Sequence, residues 1–348
     1  MKRWFFLHLA VIFCIFAFAG CGTNKESNAD NITMASGPDG NDEIIKINDI
    51  GITAGEFRYY LHEQAIKKLY NGATAVLDND VSGYDWNKVG ESGKTLEEEI
   101  IDETIKNITA ETLMIENASI LLTDDEKRNI DEMIDVYISQ AGEELFLLSA
   151  NTMALNSVDE YKKMAYRTML LQKTEQEITD NFTKYIKDID LNDYESSEKV
   201  TAQHILIESN SEKYEDPQKT INEVLVLARA GADFTELMHQ YDEDPGQTDA
   251  GYTFGKGEMV KEFEEAAYSL KCDEISDVVE TSYGYHIIKR IAGLAELQNY
   301  WMQSATCEIN ENLIKKVSVS EIMNTTTNAK RILQEKNKAQ KNKNTKGE

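Results

Sequence analysis

A chain of 348 residues is long enough for two ordinary domains, and 41% apolar with 28% charged residues is the make-up of a soluble globular protein. Its 36 basic and 62 acidic residues leave a formal net charge of −26, which excludes a general nucleic-acid binder because no basic surface remains to neutralise phosphates. The four cysteines give no disulfide framework: Cys14 and Cys21 fall at the extreme N-terminus, and Cys272 and Cys307 either pair or stay separate thiols.

Lys2 and Arg3 precede an apolar run from Trp4 to Phe18 that ends in Ala19-Gly20-Cys21. The run is about 15 residues, short of the roughly 20 that a membrane-spanning helix needs, and it reads as a secretory signal peptide over 1–20. The ending resembles the lipobox of bacterial lipoproteins, which implies that Cys21 becomes the acylated first residue of the mature chain. An uncleaved anchor with an incidental cysteine is the alternative. Residues 21–43 are polar and rich in Asn, Ser, Asp and Gly, the composition of a flexible tether.

Order is expected from Ile44-Ile-Lys-Ile47, a short strand. Thr53 with Glu56 is a capping-box match opening a helix through Phe57, Tyr60 and Leu61. Ile101, Ile105, Ile108 and Thr112 recur at helical spacing between acidic residues, the pattern of a helix with one face in a core. Thr123 with Glu126, and Ser157 with Glu160, mark two further starts, leading into 130–138 and 161–171. Methionines and tyrosines on such faces either pack in a core or form an adaptable surface for unfolded clients, and periodicity does not choose. The spacing thus predicts a mostly helical domain over 44–198, bounded by the polar Asp190–Glu198. Leu294, Leu297, Trp301, Leu313 and Ile314 resume the helical pattern, so residues 292–329 are expected to complete this domain. The lysine- and asparagine-rich stretch 330–348 is expected to be a basic tail without structure.

Between these helical parts the pattern changes. Thr201-Ala-Gln-His-Ile-Leu-Ile207 and Gly284-Tyr-His-Ile-Ile288 are strand-like, and each carries one histidine, His204 and His286, out of five in the chain. Ile221, Val224, Leu225 and Ala228 recur at helical spacing, with Gly231 ending that helix; Phe234, Leu237 and Met238 begin another. Then come Tyr241-Asp-Glu-Asp-Pro-Gly246 and Gly255-Lys-Gly-Glu-Met-Val-Lys-Glu-Phe263.

Together these pieces resemble the parvulin family of peptidyl-prolyl isomerases over 199–291. The resemblance implies an α+β fold in which the two histidine strands are central neighbours of a small antiparallel sheet surrounded by helices. It implies a site in which His204, Asp244 and His286 are the catalytic residues, and Met259, Phe263, Thr281 and Tyr283 bind substrate around a proline ring. The position aligned with Asp244 is a cysteine in some members and an aspartate in many. Asp249-Ala-Gly-Tyr-Thr-Phe254 departs from the family's Gly-Asp-Leu-Gly-aromatic run, leaving the alignment of Ala250, Tyr252 and Phe254 open. The loop Glu208–Asp216 is net acidic, so selection of phosphorylated residues before proline is not expected.

The whole layout, a discontinuous helical domain with an inserted parvulin-like domain, resembles SurA- and PrsA-type extracytoplasmic foldases. The implied partners are unfolded or partly folded exported proteins with X-Pro bonds. The implied place is the outer face of a bacterial, Gram-positive cell membrane, reached through a lipid on Cys21. No nucleic acid, cofactor or metal is expected, since metal-ligand spacing, a phosphate loop and a nucleophile elbow are absent from the sequence; a homodimer stays open. Two other classes compete: a holdase chaperone with a silent parvulin module, and a solute-binding lipoprotein, which the lack of successive βαβ patterns disfavours.

Overall fold

The computed structural model describes residues 37–69, 84–187, 189 and 199–344. The expected signal peptide, Cys21 and most of the tether lie outside these residues. The chain forms two compact units, one comprising residues up to Thr174 together with those from Ala305 onward, the other Glu175–Ser304.

The first unit opens on a hairpin of β1 (Glu43–Ile47) and β2 (Ile50–Thr53), turned at Asn48, whose φ of 51° suits asparagine. A third strand, β7 (Cys307–Ile309), pairs antiparallel with β1, setting Ile45 opposite Ile309 and Ile47 opposite Cys307. Asn48 accepts the Thr306 N–H at 3.0 Å and donates to Glu116 at 2.7 Å, fastening both chain segments at the turn. The sheet is therefore completed only after the chain has made the whole second unit, Glu175–Ser304.

Helices α1 (Ala54–Leu69), α2 (Leu96–Ala118), α3 (Asp124–Ala141), α4 (Glu143–Asn151) and α5 (Val158–Asp180) come after the hairpin. Thr53–Glu56 and Thr123–Glu126 close as reciprocal caps, and Thr95–Glu98, a third match of the same pattern that the sequence reading did not single out, does the same for α2. Ser157 caps the Glu160 N–H at 3.1 Å, but the Glu160 carboxylate is taken elsewhere. Its two oxygens accept from Nη2 of the buried Arg58 guanidinium, at 3.0 and 2.9 Å, and Oε2 also accepts the Asn156 N–H at 2.9 Å. Tyr161, Met164, Ile130, Ile134 and Phe146 form the core of these helices, with Tyr137, Tyr166 and Met169 packed partly buried against it. The Met- and Tyr-rich faces are thus used for packing here.

The tail expected to lack structure from 330 is instead helical: after the short α11 (Glu311–Ile314), α12 runs from Val319 to Asn344. Val319, Ile322, Met323, Thr326, Ala329 and Ile332 are buried along one stripe, and Ile332 and Leu333 pack with Leu145 and Leu148 of α4. Two apolar residues beyond 330 carry the stripe one turn further than the lysine-rich composition suggested. In the next turn Lys336 donates to Glu144 of α4 at 2.9 Å, continuing the attachment through charge. Residues 345–348 lie outside the described residues.

The second unit contains a short helix, α6 (Phe182–Tyr185), then β3 (Lys199–Glu208), α7 (Pro217–Arg229), α8 (Phe234–Tyr241), β4 (Tyr252–Gly255), α9 (Lys261–Ser269), β5 (Val279–Glu280), β6 (Gly284–Ile291) and α10 (Leu294–Ser304). Its four strands lie antiparallel in the order β4-β3-β6-β5, so the two histidine strands are the central neighbours. The period-two alternation divides β3 and β6 between two layers. Ile205, Ile207 and Ile287 face α7 and α8; Val200, Ala202 and Ile288 face Phe254 and the α9 residues Phe263 and Ala267. Both unit boundaries differ from the expected 198 and 292. Helix α10, expected to complete the helical domain, packs on β3 with Leu297 fully buried and the Trp301 ring edge-on to Tyr185 at 6.4 Å. Among the described residues no helix is long and apolar enough to cross a membrane.

Candidate active site

His204 and His286 lie on the α9 side of the central strand pair. The register sets His204 opposite Ile288 and Leu206 opposite His286, so the two histidines are diagonal neighbours, with ring centroids 5.3 Å apart. Phe263 stands edge-on to both rings, at 5.2 Å from His204 and 5.5 Å from His286. Both histidines are buried, at 3% and 5% exposed. The nest is aromatic and buried.

What brings an acid to this nest is the unpaired edge of β3. Strand β4 pairs with β3 only as far as Ala202; beyond it, the residues after α8 take over the edge. Asp242 accepts the Leu206 N–H at 2.7 Å, the Glu243 N–H donates to the Leu206 carbonyl at 2.9 Å, and the Glu243 carboxylate accepts the Glu208 N–H at 2.9 Å and the Ser211 hydroxyl at 2.7 Å. Two carboxylates thus satisfy strand-edge donors that water would otherwise hold. The next residue, Asp244, is delivered beside His204, with Oδ2 3.4 Å from Nε2, a contact longer than a strong hydrogen bond. Asp244 Oδ1 accepts the Gly246 N–H at 2.8 Å, and Oδ2 accepts the Tyr252 hydroxyl at 3.0 Å.

These contacts set the electrostatics. His204 first, then the Gly246 N–H and the Tyr252 hydroxyl, hold the Asp244 carboxyl at about 2 against the cost of partial burial, so it is ionised at neutral pH. Burial, with the neighbouring His204, pushes His286 down to about 4, so its ring is neutral. Burial and the Asp244 carboxylate push the Tyr252 hydroxyl up, keeping it a donor. His286 Nε2 and the Thr281 hydroxyl are 2.8 Å apart, and that hydroxyl also accepts the Tyr283 N–H at 3.1 Å.

Residues 182–292 match the family model of the PPIC-type PPIASE domain. The segment is a parvulin-type domain. Over 95 residues, 26% of its length, the chain is 48% identical to a protein named Foldase protein PrsA of Geobacillus kaustophilus, covering 31% of that protein. A namesake from Caldanaerobacter subterraneus is 28% identical over 298 residues, 83% of this chain and 82% of the other. A crystal structure of PrsA from Bacillus cereus aligns at 20% identity over 86% of this chain and 93% of that one, with a TM-score of 0.24. The matches to the first three curated relatives span only 25% to 37% of those proteins' lengths.

Within the parvulin-type domain the structure brings together His204, His286, Asp244, Phe263 and Thr281, and packs Met259, half-buried, against the Phe263 layer. Tyr283 joins only through its backbone N–H and is 62% exposed. Lys213, the cation of the loop after β3, donates to the Gln240 carbonyl at 2.8 Å and lies over the Tyr214 ring.

Sequence reasoning missed the roles of Asp242, Glu243 and Tyr252. Gly251 sets the register of the stretch before Phe254 against β3. Its φ of +69° is left-handed, and a Cβ there would lie 2.7 Å from the Ala202 carbonyl, so only glycine turns the loop into β4 at that point. Tyr252 then pairs with Ala202 and Phe254 with Val200. Counting two residues back from the buried Phe254 would have placed Tyr252 on the same face, beside His204.

Proposed function

We propose that the chain is a peptidyl-prolyl cis-trans isomerase and foldase acting on unfolded or partly folded exported proteins with X-Pro bonds. The observation that carries this is an ionised Asp244 at the edge of the buried His204–His286–Phe263 nest, inside a segment matching the PPIC-type domain.

The X-Pro amide resists rotation by about 18–20 kcal/mol because conjugation keeps it planar, and spontaneous exchange takes tens to hundreds of seconds. Twisting breaks the conjugation and lowers the negative charge on the carbonyl oxygen. An apolar cradle of Met259 and Phe263 would hold the proline ring and exclude water, disfavouring the charge-separated planar form. A fixed carboxylate near the oxygen repels it more when planar than when twisted, which is differential stabilisation of the transition state. His286, neutral and bonded to Thr281, serves to hold the nest rigid; no proton needs to move and no covalent bond forms.

Asp244→Ala should reduce kcat/KM for a proline peptide, and the catalysed phase of a proline-limited refolding reaction, by about tenfold or more, with an unchanged circular dichroism spectrum. A correctly folded wild type that leaves isomerisation no faster than buffer would sink the isomerase reading and leave a holdase with a silent module.

We also propose that Cys21, after the signal-like run 4–18, carries the lipid that anchors the protein outside the membrane. Labelled palmitate should enter the chain and accompany it into the membrane fraction, and Cys21→Ala should abolish both. Equal labelling of the variant would refute the anchor.

A further inference from the structure

We infer that Tyr252 is a positioning residue for the isomerase site: its hydroxyl, together with the Gly246 N–H, clamps the Asp244 carboxylate in the one orientation the reaction uses. The inference rests on the isomerase reading above and extends it to a residue that the family-like pattern left unassigned.

Three observations carry it. First, the two donors bind different oxygens, Gly246 N–H to Oδ1 at 2.8 Å and Tyr252 hydroxyl to Oδ2 at 3.0 Å, so both side-chain torsions of Asp244 are fixed. A single donor would leave the carboxylate free to swing about that bond. Second, the Tyr252 ring stacks on His204, with centroids 5.8 Å apart and planes at 22°. The same side chain therefore sets the acid and covers the flank of the histidine beside it. Third, the slot through which the hydroxyl reaches Asp244 exists because residue 246 has no side chain. A Cβ on Gly246 would lie 2.5 Å from the Tyr252 oxygen and 3.3 Å from Asp244 Oδ1, so any other residue there displaces the donor. Gly246 has no left-handed φ that would demand glycine for backbone reasons. Its smallness is explained by the clamp.

An anion that acts by repelling the substrate carbonyl works only at a fixed distance and angle, since its effect falls with separation. The charged and titratable groups around Asp244 are His204 on β3, Tyr252 on β4, His286 on β6 and Asp242 on its own loop. Of these only Tyr252 is a hydroxyl donor, and replacing it with Phe removes that donor without changing the charge.

The test uses the full chain with Tyr252→Phe, Gly246→Ala and the double variant. Tyr252→Phe keeps the ring on His204 and removes only the donor. We expect kcat for a proline peptide to fall by roughly fivefold to tenfold with KM unchanged, the net size of a typical hydrogen bond. Carboxyl-carbon NMR should show the Asp244 titration midpoint moving up. Gly246→Ala should reproduce both effects by displacing the hydroxyl, and the double variant should be no worse than Tyr252→Phe alone, because no hydroxyl is left to displace. Wild-type kcat and an unmoved Asp244 titration in Tyr252→Phe would overturn the clamp while leaving the isomerase reading intact. Additive losses in the double variant would overturn the link between Gly246 and Tyr252. An inactive, folded wild type would overturn the isomerase reading and the positioning role together.

Discussion

At the scale of single residues, the site couples its chemistry to acid stability. His286 takes a proton near 4 in the folded chain and near 6.5 when unfolded. Between those values the unfolded chain binds more protons, so stability falls as pH falls; the stabilisation is intact above 6.5 and lost by about 4, roughly 3 kcal/mol in all. Asp244 acts lower on the scale. Folded at about 2 against an ordinary 3.8, its contribution is present above 3.8 and disappears as pH falls towards 2. His62 of α1, buried and lowered by burial, acts in the same sense as His286, so a substitution is needed to separate them. Urea midpoints between pH 7 and 4 should decline more steeply for wild type than for His286→Gln; equal slopes would mean that His286 does not titrate as its burial requires. Residue identities at the site were legible where a residue type is rare and its strand pattern clear, as with His204 and His286. Tyr252 was not, because its role depends on Gly246 and Gly251 rather than on any property of tyrosine.

At the scale of elements, capping chemistry was the most legible signal, because Thr-x-x-Glu is satisfied within four residues and owes nothing to the rest of the fold. Ser157–Glu160 marks the limit of that logic. The same glutamate closes one half of its cap and then serves a tertiary partner, Arg58, 102 residues away. Gly40 and Gly55 make room for it: a Cβ on either would lie 1.8 and 2.8 Å from Glu160 side-chain atoms. Helix faces were less legible. The stripe read as Ile101, Ile105, Ile108 and Thr112 is buried instead along Ile100, Thr104, Ile108 and Thr112. Thr104 enters the core because its hydroxyl donates to the Ile100 carbonyl at 2.7 Å, so no polar group is left unsatisfied. A periodicity count that scores threonine as polar turns the helix by one residue. Helix α12 failed for a related reason, since composition averaged over 330–348 hides the two apolar residues that dock it on α4.

At the scale of the whole molecule, sequence could suggest an insertion but not what the insertion interrupts. Strand β7 is three residues, exposed at Cys307 and Glu308, and nothing in Cys-Glu-Ile announces that it pairs with β1. Yet β7 and α12 supply an edge of the β2-β1-β7 sheet and one wall of the helices α1 and α4. The second unit carries its own sheet and core, because Glu175–Ser304 contains all four strands of its sheet and the helices on both faces. The two units should therefore respond oppositely to a chain ended at Ser304. Losing β7 exposes the β1 edge, and losing α12 uncovers the apolar surface against which Val319, Ile322, Met323 and Ile332 are buried. At about 2–5 kcal/mol for each of these four large side chains, the loss is of the same size as the roughly 5–15 kcal/mol that holds a domain folded. The truncated chain should show hydrogen exchange protection in β3 and β6 equal to that of the full chain, and unchanged kcat/KM for a proline peptide, while α1 to α4 lose protection. Loss of protection in β3 and β6 as well would show that the isomerase unit depends on the helical one, and that the insertion is not self-sufficient.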